Sequence, residues 1–119
     1  MNTQSMIGDT VKVIVDRPMG SQHLEHGFLY PLNYGYIPGV PAADGEDLDA
    51  YILGVFEPLS EFEGVCIAVI HRLNDDDDKL VVCPPCKIYS DEQIIALTEF
   101  QEQFFVSTIE RDEFRPFGA

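Results

Sequence analysis

Four carboxylates fall within six residues in Asp44-Gly45-Glu46-Asp47-Leu48-Asp49, around a glycine and at the entrance to an apolar segment. Crowded like charges repel, so such a run is costly unless cations neutralise it. Hard carboxylate oxygens suit magnesium, manganese or calcium better than zinc. The spacing does not follow a helix-flanked calcium loop, and a solvated acidic turn is the plain alternative. A second acidic run, Asp75 to Asp78, precedes Lys79-Leu80-Val81, and it too reads most simply as a solvated turn. Two further pairs carry ligand-type side chains. Cys83-Pro84-Pro85-Cys86 lacks the helix start at its first cysteine that activates a redox thiolate, and reads as a proline-stiffened turn. Together with His23 and His26 it has the ligand types, though not the spacing, of a structural zinc site.

The elements that must position these groups follow from pattern. Val11 to Val15 reads as a strand ending at Asp16-Arg17-Pro18, and Met19 to His26 as a loop. Tyr30 to Gly39 is rich in proline, glycine and tyrosine. It reads as irregular strand or turn rather than a central strand, because proline donates nothing to a ladder. Leu48 to Phe56, Gly64 to Ile70 and Leu80 to Cys83 read as strands, and in the first of them Asp47 and Asp49 share the face opposite Leu48, Ala50 and Ile52. Ser90-Asp91-Glu92-Gln93 is a capping box, so a packed helix is expected over 91–107. Its core stripe is Ile94, Leu97, Phe100 and Phe104, and residues 110–119 are expected to form a loose tail. Strands first and a helix last predict one α+β domain over 1–119. Its core would be a small closed or partly closed β-barrel with a packed C-terminal helix.

Composition narrows the function classes. Seven basic residues against 21 acidic ones give a formal charge of −14 over 119 residues, a field that repels nucleic-acid phosphates. It repels a small phosphate ligand too, unless cations stand between. No apolar run reaches the roughly 20 residues of a membrane span, and Met1 to Thr10 lacks the order of a signal peptide. Three cysteines, an odd number, fit a reduced cytoplasmic protein better than a disulfide framework.

Tyr30-Pro31-Leu32-Asn33-Tyr34-Gly35-Tyr36-Ile37, followed by Asp44-Gly45-Glu46-Asp47-Leu48-Asp49, resembles the active-site stretch of the soluble (type I) inorganic pyrophosphatases. Asp77-Asp78-Lys79-Leu80-Val81 and Val13-Ile14-Val15-Asp16 extend the resemblance to roughly residues 11 to 105. It implies a five-stranded, OB-like β-barrel with helices packed outside, in agreement with the pattern, that hydrolyses pyrophosphate with Mg2+, Mn2+ being an alternative. Asp44, Asp49 and Asp77 match metal ligands. Glu46 stands for the carboxylate that orients and deprotonates the attacking water, beside the metals. Tyr34 matches a tyrosine next to the phosphate and Lys79 a phosphate-binding lysine, and Asp16 takes the place of an early Glu. Arg17 and Arg72 are the remaining candidate phosphate-binding cations, with His23 and His26 nearby. The implied partners are a small phosphate substrate and further copies of the chain in a homo-oligomer.

The departures lie on the same positions. Glu46 is one methylene longer than the usual Asp, and Asp47 replaces Pro or Glu. A further metal-binding Asp falls at Arg72 or Leu73, with Asp75 and Asp76 as neighbours. The insertion that brings basic residues to the phosphates shrinks to residues 20–27, and a Tyr-Lys pair becomes Phe104-Phe105. A second reading therefore keeps the metal site and loses turnover, leaving a module that binds a phosphate-containing ligand or a protein.

Overall fold

The computed structural model describes residues 3–74 and 77–111. A single-turn 3-10 helix, Thr3–Met6, leads into β1 (Thr10–Arg17), β2 (Asn33–Pro41), β3 (Asp47–Ile52), β4 (Glu61–Arg72), β5 (Asp78–Cys83), α1 (Asp91–Glu102) and β6 (Ser107–Glu110). The strands pair in the order β1-β2-β3-β5-β4, and β1 pairs again with β4, so five strands close a ring. This is the expected five-stranded barrel. One edge of the long β4 is shared: residues 61–65 take β1, and residues 69–72 take β6, which lies outside the ring. β3 and β5 run parallel, and the other pairings are antiparallel.

Strand alternation builds two cores. Val11, Val13, Ile37, Leu48, Ala50, Ile52, Val69, Leu80 and Val82 fill the barrel interior. Fully burying such a side chain contributes roughly 1.5–3 kcal/mol. The odd-numbered partners on β3 and β5, Tyr51 and Val81, point outward and join Tyr30, Tyr34, Ile70 and Ile94 of α1 in a second core on the barrel's outer face. Asn33, wholly buried, ties two loop segments to that face. Its Oδ1 accepts from the backbone N–H of Met19 and Leu59, and its Nδ2 donates to the Glu57 carbonyl.

Four sequence expectations are corrected. β2 is a central strand, paired with both β1 and β3, despite its prolines. Pro31 precedes the strand, Pro38 falls where the β2–β3 register shifts between Ile37 and Pro41, and Pro41 ends the strand, so all three lie off the regular ladder of residues 33–37. The helix has its capping box but ends at Glu102 rather than near residue 107. Phe105 N–H bonds the Glu102 carbonyl, turning the chain back so that residues 107–110 pair with β4. Glu110, expected in a loose tail, is thus the last residue of β6. Residues 112–119 of that tail lie outside the described residues. The buried face of α1 is Ile94, Thr98, Gln101 and Glu102, while Leu97 and Phe104 of the expected apolar stripe are exposed. No described helix is long and apolar enough to cross a membrane.

Candidate active site

The same alternation sets the site residues on the outer face of the barrel, beside the second core. Asp49 of β3 and Lys79 of β5 are direct partners in the parallel register. The Lys79 ammonium, almost fully buried, donates to Asp49 Oδ2 at 2.6 Å and to Asp77 Oδ2 at 2.7 Å. Two hard carboxylate oxygens therefore converge on one cationic point. Tyr34, on the neighbouring β2, is buried next to this group, and burial plus the Asp49 charge hold its hydroxyl well above the usual tyrosine range.

Two contiguous hollows open here, sharing His23, Glu25, Tyr34 and Gln101. One, of about 330 Å³, is bounded by Asp16, Arg17, Tyr30 and Asp49. The other, of about 140 Å³, is bounded by Arg72, Lys79, His26, Phe104 and Phe105. A groove of about 380 Å³ lies elsewhere, between α1 and β6, and contains Glu102 but no acidic or basic residue singled out from sequence. Position among the candidates decides between them, not size. Asp16 stands exposed at the rim, yet desolvation at the cleft wall and the nearby Asp49 hold its carboxyl above the usual range, with Arg17 opposing.

The structure brings Asp49, Asp77, Lys79, Tyr34, Arg72 and Arg17 to these hollows or their floor, and leaves Asp44 and Glu46 on the β2–β3 turn. That turn is exposed: Asp44 Oδ1 accepts from the Glu46 N–H at 3.0 Å, and Ala42 N–H donates to the Glu46 carbonyl. Gly45, at φ +87°, supplies the left-handed residue the turn needs. Among the described residues no three His, Cys, Asp or Glu side chains cluster as a metal site. Asp75 and Asp76 lie outside the described residues.

Arg72 neither points to solvent nor stands as an unopposed positive charge. Its Nε and NH2 donate to Glu102 Oε1 and Oε2 at 3.1 and 2.8 Å, its NH1 is 3.7 Å from Asp77 Oδ2, and its guanidinium lies 3.6 Å from the centre of the Phe105 ring. Burial pushes its pKa down, but the Glu102 bonds and charge outweigh that and raise it. The network continues inward. Tyr51 donates its hydroxyl to Glu102 at 2.5 Å, Gln101 Nε2 donates to the Tyr51 oxygen at 2.7 Å, and Tyr30 donates to Gln101 Oε1 at 3.0 Å. Hydropathy patterning missed Gln101, Glu102 and Tyr51. Only the i, i+1 pair of polar residues near the end of an otherwise packed helix hinted at them.

The zinc arrangement does not assemble. Cys83 is buried in the second core, whereas His23 packs in tilted contact with His26 and Phe28, and His26 stacks on Phe104. Burial pushes the Cys66 thiol up to about 12 and raises Cys83 too, while Cys86 is exposed. At about pH 8 the fraction of Cys66 present as the reactive thiolate is on the order of 10⁻⁴. A thiol reagent should therefore label one cysteine quickly in native protein and all three after denaturation. Rapid labelling of three in native protein would contradict this burial.

Comparison with known proteins follows the same lines. The chain is similar to an inorganic pyrophosphatase of Aeropyrum pernix, 29% identical over 100 residues, covering 67% of this chain and 57% of the relative. It is similar to an inorganic pyrophosphatase of Sulfolobus acidocaldarius, 30% identical over 99 residues, covering 66% and 57%. The chain thus spans a little over half the length of these curated relatives. Its fold matches the crystal structure of an inorganic pyrophosphatase from Ehrlichia chaffeensis with a TM-score of 0.66 at 20% identity, over 88% of this chain and 85% of that one. No family model matches.

Proposed function

We propose that this chain is a short, divergent member of the soluble inorganic pyrophosphatase family, and that it hydrolyses pyrophosphate, or a closely related phosphoanhydride, to phosphate. The observation that carries this reading is the convergence of Asp49 and Asp77 on Lys79 at the cleft floor. The donor set fits a hard divalent ion, Mg2+ or Mn2+. Asp49 and Asp77 would hold it, and Asp44 and Glu46 are further ligand candidates from the adjoining turn. Such an ion, when bound, neutralises the anionic substrate and lowers the pKa of water.

The chain's own residues supply the rest. An ammonium has three N–H groups, and Lys79 gives two to carboxylates, so a third is left to meet a phosphate oxygen. Tyr34, held protonated, donates from the side. Arg17 adds positive charge at the rim and Arg72 at the inner pocket, where Glu102 holds the latter in one orientation. Hydrolysis forms one bond from water oxygen to phosphorus, breaks the bridging P–O bond, and passes the water proton to a carboxylate. Glu46 is the acceptor implied by the motif, and Asp16 is the carboxyl that lines the cleft.

Phosphate release from pyrophosphate with excess Mg2+ or Mn2+ tests the reading. Asp49→Asn and Asp77→Asn should each lower release by about a hundredfold or more, the loss of a group acting directly on the reacting centre. Glu46→Gln against Asp16→Asn then identifies the proton acceptor. Release by the wild type no greater than by Asp77→Asn would end the proposal.

A further inference from the structure

His23 and Glu25 are the residues of the shortened 20–27 loop that line both hollows, and of the two only His23 brings a ring donor to them. The loop is a tight hairpin: Gln22 bridges to Leu29, His23 N–H donates to the Phe28 carbonyl at 2.7 Å, and Gly27 N–H returns to the His23 carbonyl at 3.1 Å. The ring is held as firmly as the backbone. It packs against Phe28 at 4.5 Å and lies nearly parallel to Tyr30 at 5.9 Å.

Its Nδ1 is within 3.1 Å of two backbone N–H donors, those of Glu25 and His26. A nitrogen that accepts carries no proton, so the neutral ring must carry its hydrogen on Nε2. Protonating Nδ1 would set N–H against N–H and leave those donors without an acceptor. Desolvation and the neighbouring His26 also keep the pKa below the usual histidine value. The loop thus fixes one tautomer of a half-buried ring that borders Asp16, Arg17 and Asp49 on one side and Lys79 and Arg72 on the other.

From this geometry we infer that His23 is a phosphate-binding residue, donating its Nε2–H as a neutral ring to an oxygen of the bound phosphate. The assignment rests on the hydrolase reading, because that reading puts a phosphate in the cleft. A neutral donor serves this site well, since it contacts the anion without competing with a divalent ion for the carboxylates.

The test uses the full chain with inorganic phosphate and Mg2+ as the probe. Ring 15N spectra of the free protein should show the Nε2–H tautomer at neutral pH, and added phosphate should shift that resonance. His23→Asn retains an acceptor near the Nδ1 position, so it preserves the turn but withdraws the distal donor. His23→Gln extends an amide N–H towards the Nε2 position. The phosphate Kd should rise about tenfold or more in the Asn variant, the loss of a hydrogen bond to a charged group, and recover substantially in the Gln variant. An Nδ1–H tautomer, an imidazolium at neutral pH, or equal Kd for wild type and His23→Asn would overturn the assignment. A wild type that binds no phosphate overturns it together with the hydrolase reading. Histidine-dependent phosphate binding without turnover sinks the hydrolysis alone.

Discussion

Gly35→Ala should yield no folded protein. A Cβ built at Gly35 stands 1.9 Å from the Ile14 carbonyl oxygen, 2.8 Å from its carbon and 2.9 Å from the Val15 Cα. All three are backbone atoms of β1, in the stretch where its pairing with β2 shifts register between Val15 and Arg17, so no rotamer change gives relief. Restoring ordinary contact means pulling β1 from β2 and opening the ring. That cost belongs with the rare substitutions beyond about 4 kcal/mol, against a total net stability of about 5–15 kcal/mol for a domain. Gly39→Ala is the comparison. Nothing lies within 4 Å of its built Cβ, and only the positive φ of +78° opposes the change, at a cost of about 1–2 kcal/mol. Urea unfolding followed by far-UV circular dichroism separates the two. A Gly35→Ala protein with the wild-type midpoint would mean that β1 and β2 do not approach as described.

The second large effect is expected at Glu102. This carboxylate, 6% exposed, accepts from both Arg72 and Tyr51. Glu102→Ala removes the acceptor and leaves a guanidinium in a site it shares with Tyr51 and Phe105. Breaking a buried pair from one side costs about 3–5 kcal/mol, and the Asp77 carboxylate, 3.7 Å from the Arg72 NH1, offsets only part of the remaining charge. In a domain of this size that corresponds to a fall in Tm of roughly 10–20 °C. Removing both charges should recover much of the loss, so the double variant Arg72→Met/Glu102→Leu should melt well above Glu102→Ala. Calorimetry of the two variants decides. A single variant within about 1 kcal/mol of wild type would reduce the network to the value of a surface ion pair.

These two sites show what the sequence displayed and what it hid. Leu48, Ala50 and Ile52 alternate with Asp47 and Asp49, and that period places the barrel wall and its outer carboxylates together. Ser90 and Gln93 marked the helix start by reciprocal bonds within four residues, a purely local signal. The helix end was not local. Its position depends on Phe105 reaching Arg72, some 30 residues away in sequence, and on β4 having an edge left for β6. The prolines of β2 misled because a register shift absorbs Pro38, and such a shift exists only once the partner strand is known. At the site, the types of Asp49, Asp77 and Lys79 and their resemblance to a family stretch pointed to one cluster. Nothing in those types shows the exposed placing of Asp44 and Glu46, nor Glu102 holding Arg72. A buried carboxylate on a helix reads as a solvent-facing one until its partner is seen.

The ring order carries a consequence for how the chain reaches this state. β5 sits between β3 and β4 although it follows both in the chain, and β1 meets β4 across some fifty residues. No hairpin of neighbours in sequence can close the circle. Antiparallel β4 and β5 can form early as a local pair, after which β5 must find β3 in parallel register. Loop-closure entropy is paid before those distant contacts repay it, which sets barrels of this kind among the slower folders, on scales of milliseconds to seconds. During synthesis the circle stays open until Cys83 has left the ribosome, and until then the edges of β3 and β4 that β5 will cover have no partner.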